Sequence, residues 1–224
     1  MSLLNDLFQE FQSVLSGQIP FLDVILPPLV FTLLNGLVPL WAALVIALGT
    51  AGLLVVIRIW KKGKPVYALG GTALTAAAGL LAWITQSAES FFLPGLISSG
   101  LTFLLAVISL LVRKPLAAWS SHLTRGWPID WYWHPRIRPA YGQVTVIWTV
   151  FFFAQFAVQL YFYLQESART LGIVQLLTGW PALILLLAGS YLYGLWRLKQ
   201  LGGPSVEEYQ HDQPPPWEGQ QRGF

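Results

Sequence analysis

Residues 21–60 run almost without a polar interruption, and these 40 residues would extend about 60 Å as a single helix, twice the ~30 Å hydrocarbon thickness of a bilayer. Such a stretch has no place in a small water-soluble core, and it must fold back on itself. The signal for reversal is Asn35-Gly36 followed by Pro39, which predicts helices over 21–34 and 40–60. The first is short and contains Pro27-Pro28, so spanning the membrane and dipping into it are both open.

Four more apolar stretches are long enough to cross: 66–85 and 91–112, separated by the polar residues 86–90, then 141–164 and 171–196, separated by 165–170. A composition of 55% apolar and 10% charged residues fits lipid as the solvent. The expected fold is all-α, a polytopic transmembrane helical bundle of about six spans arranged as three helical hairpins. Ahead of it, residues 1–18 set Leu3, Leu4, Leu7, Phe8, Phe11, Val14 and Leu15 on one face, the pattern of an amphipathic interfacial helix. The transmembrane domain covers 19–200, with a Trp- and Arg-rich loop at 115–139. The stretch 201–224, with Glu207, Glu208, Asp212 and Pro214-Pro215-Pro216, is too polar to fold and is expected to be a disordered cytoplasmic tail.

Basic residues define the sidedness. Arg58, Lys61, Lys62, Lys64, Arg113, Lys114, Arg125, Arg136, Arg138, Arg197, Lys199 and Arg222 fall on one side of this plan and Arg169 alone on the other, 12 of 13. The positive-inside rule makes the rich side cytoplasmic, which puts the C-terminus inside and, with six spans, the N-terminus inside as well. The net charge of +3 is therefore topological, and nucleic acid is not an expected partner. With no cysteine, the chain has no disulfide, thiolate metal site or thiol nucleophile.

Polar residues at membrane depth are the first candidates for function. Gln155 and Gln159 are four apart and share a helix face, with Gln143 roughly on the same side, which suits helix-to-helix hydrogen bonding or the lining of a solute path. Gly70, Gly71, Ala73, Ala76, Ala77, Ala78 and Gly79 strip bulk from the third span, as a central packing helix would require. Glu89, just before Phe92-Leu93-Pro94-Gly95, is a candidate carboxylate at an external mouth. In the loop, Arg125, Arg136, Arg138, Trp131, Trp133 and His134 suit anionic lipid headgroups, because indoles favour the headgroup layer and guanidinium pairs with phosphate. His122, Asp130 and His134 offer acid-base groups, but their spacing matches no metal or catalytic signature, and no cofactor is expected.

Several stretches together resemble an uncharacterised bacterial integral-membrane family, common in actinobacteria and of unknown function. They are Ala68-Leu69-Gly70-Gly71, Phe92-Leu93-Pro94-Gly95-Leu96, Leu110-Leu111-Val112-Arg113-Lys114-Pro115-Leu116, Arg138 with Trp148, Gln159-Leu160-Tyr161, and Leu171-Gly172 with Gly179-Trp180-Pro181. That family is distantly similar to intracellular septation protein A, and the resemblance implies a place in the bacterial cytoplasmic (inner) membrane and in envelope upkeep. Its pattern carries an arginine where this chain has Gln155. Three classes of function follow: a non-catalytic envelope protein that binds lipid or scaffolds other membrane proteins, a small-solute transporter, or a membrane enzyme acting on a lipid-linked substrate at the cytoplasmic face. Oligomeric state is not readable from these features.

Overall fold

The structure, a computed structural model, describes residues 21–60 and 65–224. The expected amphipathic helix over 1–18 and the basic residues Lys61, Lys62 and Lys64 lie outside the described residues. Ten α-helices follow in order among the described residues: α1 (Phe21–Leu34), α2 (Leu40–Trp60), α3 (Pro65–Thr85), α4 (Leu93–Leu111), α5 (Leu116–Arg125), α6 (Ile129–Trp133), α7 (Arg138–Leu164), α8 (Ala168–Thr178), α9 (Trp180–Leu201) and α10 (Val206–Gln210). A 3₁₀ turn, Glu89–Phe92, leads into α4, and no strand occurs among the described residues. Among the described residues, four segments are long and apolar enough to cross a membrane: Leu40–Trp60, Glu89–Leu111, Arg138–Leu164 and Ala168–Leu201. The last is broken at Gly179, where Pro181 follows and cannot donate to the preceding turn, so the expected span over 171–196 is two helices.

Packing divides the chain into two compact units, one comprising the described residues up to Pro94 with Phe162–Leu176, the other Gly95–Tyr161 with Leu177–Phe224. In the first, α1, α2 and α3 pack on one another. The reversal at Asn35-Gly36 is a tight turn in which Leu34 O accepts from Leu37 N (2.9 Å) and Gly36 adopts φ +86°, a conformation that a side chain would strain. α1 runs through Pro27-Pro28, and the Thr32 hydroxyl donates to Pro28 O at 2.7 Å. Phe31 stacks on Phe91 with ring centroids 4.0 Å apart, over a floor of Ala43, Ala47, Ala78 and Ala82. These alanines let the helices approach closely. Among the described side chains of α3 this face is packed while Gly70, Ala73, Ala76 and Ala77 are exposed, so those four small residues do not serve the central packing expected of this span.

In the second unit, Phe103 of α4 meets Phe153 of α7 at 5.2 Å, and Gly100 leaves room for the Phe156 ring. α7 is joined to α9 by Trp148 Nε1 donating to Ser190 Oγ at 2.8 Å. The stretch 115–139 is not an extended loop but two short helices. Pro115, at the cap of α5, has no side-chain acceptor, so the first amides of α5 are satisfied from elsewhere. Leu116 N donates to Ser109 Oγ (3.0 Å) and Ala117 N to Thr145 Oγ1 (3.1 Å), which ties α5 to α4 and α7. α5 stops at Gly126, whose left-handed conformation returns its N–H to His122 O at 2.8 Å.

The tail departs from its expected disorder. Ser205 and Glu208 form a reciprocal capping box that starts α10. Pro204, Val206 and Gly223 are buried, and Phe224 packs on the core of the second unit. The tail is low in apolar content overall, but the few apolar groups it has are placed at these anchor points.

Candidate functional site

The site forms where α4 ends, α7 begins and α9 ends within the second unit. Its core is aromatic. The short α6 turns Trp131 and Tyr132 inward, both fully buried, and their rings lie edge-on at 5.0 Å, with Tyr141 of α7 5.0 Å from Tyr132. Trp131 Nε1 donates to Pro204 O at 3.0 Å, and Tyr132 OH donates to Ser121 Oγ at 3.0 Å. Burial pushes the Tyr132 hydroxyl pKa up, opposed by the Ser121 bond and the nearby Arg125 charge. The Tyr141 hydroxyl is buried with no hydrogen-bond partner among the described residues.

The predicted cationic residues rim this core, and the tail engages two of them. Arg125 lies over the Trp127 ring at 5.1 Å, and its Nε donates to Phe224 O at 3.0 Å. Arg136 lies over Trp217 at 5.5 Å and donates from a terminal nitrogen to Gly202 O at 3.2 Å. Arg138 is exposed at the first residue of α7. His134 packs edge-on to Trp217 (5.5 Å) and Tyr209 (6.3 Å), and its pKa is held below the usual histidine value by burial and by the Arg136 charge. Trp133 packs tilted against Trp119 at 5.8 Å, with Lys114 Nζ 5.8 Å from its ring.

α5 presents two faces. Ala117, Ala118 and Ser121 are buried, while Trp119 (40% exposed) and Leu123 (80% exposed), four apart, point outward, with exposed Arg113 and Lys114 just ahead of the helix. That arrangement places indole, aliphatic and cationic groups together on one outer surface. Trp131, by contrast, is removed from any headgroup contact by its burial, a correction to the expectation that it binds lipid.

The remaining candidates are used in packing. Gln159, buried, accepts from Ser99 Oγ of α4 at 3.3 Å; Gln155 donates to Thr178 O at 2.9 Å; Gln143 accepts from Tyr193 OH (3.0 Å) and Arg197 Nε (2.9 Å) of α9. All three make bonds to another helix. In the first unit, Glu89 accepts from Ser87 Oγ at 2.6 Å and from Ala168 N, at the start of α8, at 3.2 Å. A carboxylate there complements the positive helix end, so Glu89 acts as a clasp between two turns. His122 Nδ1 is bonded to Trp127 O at 2.6 Å while His134 packs on the tail, and among the described residues no group of three His, Cys, Asp or Glu side chains is close enough to hold a metal ion.

Reading the sequence missed Phe224, Trp217, Pro204 and Gly194, all of which shape the site. The Phe224 ring lies parallel to Tyr141 at 4.2 Å and 9°, and it fits because Gly194 of α9 has no side chain: an added Cβ would overlap the ring. The available signals were Ser205 three residues before Glu208, and Tyr209, Trp217 and Phe224 in an otherwise polar run.

Comparison with known proteins gives one family. The sequence model of a family described as a protein of unknown function (DUF3159) matches residues 15–197, which contain every rim residue of the site except those of the tail. No curated protein and no solved structure matches the chain.

Proposed function

We propose that this chain, which belongs to that family of unknown function, is a non-catalytic protein of the bacterial cytoplasmic membrane that binds anionic lipid headgroups at its cytoplasmic face. The observation that carries this reading is the outer face of α5. Trp119 and Leu123 are exposed one turn apart, beside Arg113, Lys114 and the Trp133 ring. Indole and aliphatic groups gain by entering the headgroup and acyl boundary, while each nearby cation adds about 1 kcal/mol of attraction to an anionic surface. The polar contacts of Gln143, Gln155 and Gln159 go to neighbouring helices, which favours this reading over solute transport.

The membrane arrangement in this proposal has six spans as three hairpins, with both termini inside. Beyond the four long apolar segments, α3 has 21 residues, about 31 Å at 1.5 Å per residue, enough to cross. α1 has 14 residues, about 21 Å, and needs residues before Phe21 to complete a crossing. The Glu89 bond to Ala168 supports the plan, because it brings together two turns that both fall on the outer side.

The test is lipid retention in nanodiscs of mixed phosphatidylglycerol and phosphatidylcholine, followed by native mass spectrometry of the extracted protein. The intact chain is expected to enrich phosphatidylglycerol, and Lys114→Gln combined with Arg138→Gln to lose most of that enrichment. Equal retention of both lipids by the unaltered chain would overturn the reading.

A further inference from the structure

The structure assigns a second role to residues 203–224: we propose that they form a displaceable strap that competes with phosphate-bearing lipid headgroups for Arg125 and Arg136. This rests on the headgroup reading above and adds an internal competitor to it. A guanidinium binds phosphate through two parallel N–H bonds, and the edge carrying Nε is one of the two that can do so. In Arg125 that nitrogen is committed to Phe224 O, and the Arg136 guanidinium lies over the ring of the strap's Trp217. Strap and headgroup therefore compete for the Arg125 donors and for access to Arg136.

Charge makes the competition two-sided. The strap carries Glu207, Glu208, Asp212 and Glu218 against a single Arg222, whereas 113–139 carries Arg113, Lys114, Arg125, Arg136 and Arg138 against a single Asp130. An acidic segment over a basic surface lowers its attraction for an anionic leaflet, and the leaflet in turn repels the segment. Oppositely charged strap and surface attract each other in water; a dense anionic surface offers the arginines a stronger partner.

The strap is anchored at points rather than along its length. Its deep contacts lie at its two ends: Pro204 O, which takes the Trp131 indole N–H, with Val206 in the buried core, and at the other end the Phe224 ring on Tyr141 beside Gly194. Between them, a cavity of ≈ 840 Å³ separates Gly126 and Trp127 from Glu207, Glu208, Glu218 and Arg222. Withdrawing the Phe224 ring frees the end of the segment that holds Arg125, while Pro204 and Val206 keep the other end at α9 and α4, α7 and α9 stay packed. Arg125, Tyr141 and Gly194 lie inside the stretch that the family model matches, and the strap lies beyond it.

The test uses the full chain in nanodiscs of phosphatidylcholine alone or with phosphatidylglycerol. Two quantities are followed: hydrogen exchange of the strap amides and the number of phosphatidylglycerol molecules retained. Phosphatidylglycerol is expected to speed strap exchange severalfold while leaving α4 and α7 protected. Phe224→Ala, which withdraws the ring, and Gly194→Ala, which expels it, are expected to retain more phosphatidylglycerol than the unaltered chain. Protection of α4 and α7 reports whether each variant is folded, and Phe224→Ala decides if Gly194→Ala is not. If the chain retains phosphatidylglycerol but strap exchange and the Phe224→Ala count stay unchanged, the strap is no competitor and the headgroup reading stands. If neither protein prefers phosphatidylglycerol, both ideas fall. Equal release of the strap by inorganic phosphate in phosphatidylcholine discs would overturn the assignment to lipid.

Discussion

Gln159 is 2% exposed, an amide that would be costly in an apolar surround without partners, and Ser99 is one that donates to it. Its spacing from Gln155 makes their common face legible in the sequence, but the partners Ser99 and Thr178 lie on other helices, and no local pattern identifies them. Tyr141 is the opposite case, a buried hydroxyl that meets no acceptor or donor in good hydrogen-bond geometry, with Ser121 as its nearest polar neighbour, on a ring stacked on Phe224 and edge-on to Tyr132. An unpaired buried hydroxyl destabilises by roughly 1–3 kcal/mol, so its removal relieves a penalty. Tyr141→Phe is expected to keep or raise the unfolding temperature of the purified protein in detergent. Tyr132→Phe, which loses the bond to Ser121, should lower it by the equivalent of about 1 kcal/mol. A drop for Tyr141→Phe as large as that for Tyr132→Phe would show that its hydroxyl is satisfied after all.

Elements whose ends are marked by turn chemistry are legible in the sequence, and elements made by tertiary contact are not. Asn35-Gly36 and Pro39 locate the boundary between α1 and α2 to the residue, while the break between α8 and α9 at Gly179-Trp180-Pro181 is visible as a motif but is obscured by the hydropathy that continues through it. The tail shows the limit of compositional reasoning. Its mean polarity predicts disorder, yet the Glu208 carboxylate organises it by accepting from Ser205 N, Glu218 N and Gly219 N, and His134 provides an aromatic seat for Trp217. Both groups make the folded tail sensitive to acid. The backbone N–H of Ser205, helped by those of Glu218 and Gly219, holds the Glu208 pKa below its ordinary value near 4.5, and burial and Arg136 hold His134 below 6.5. For each, the unfolded segment binds the proton more tightly, so stability is lost as pH falls. The His134 contribution is complete above 6.5 and declines from there toward its lowered value; the Glu208 contribution is complete above 4.5 and declines below it. Hydrogen exchange of 205–219, corrected for the intrinsic effect of pH, should therefore show protection falling in two stages. His134→Gln should remove the first stage and Glu208→Gln the second, and a single stage unaffected by His134→Gln would rule out the histidine as its source.

For the whole molecule, the question left to hydropathy and charge is how many times the chain crosses and which way it faces. On the proposed six-span plan the basic residues weigh toward one side by 12 to 1, an orienting signal because all of the 12 but Arg222 lie in short segments or near the ends of apolar helices. The number of crossings is less constrained, since the described part of α1, 14 residues, is by itself shorter than the hydrocarbon layer. An odd or even count changes only the side on which the N-terminus lies, because the segments after α1 keep their order. A chain without cysteine allows this to be read directly with an impermeant thiol reagent on single-cysteine variants in intact cells. Gln86→Cys, after α3, and Gln165→Cys, after α7, are expected to label from outside, whereas Thr124→Cys on α5 and Gln210→Cys in α10 should label only after permeabilisation. The reverse pattern would invert the orientation and rule out the proposed contact of Trp119, Leu123 and Lys114 with an anionic cytoplasmic leaflet. Ser2→Cys then counts the crossings: protection in intact cells corresponds to six spans, and labelling corresponds to five with α1 entering and leaving on the same side.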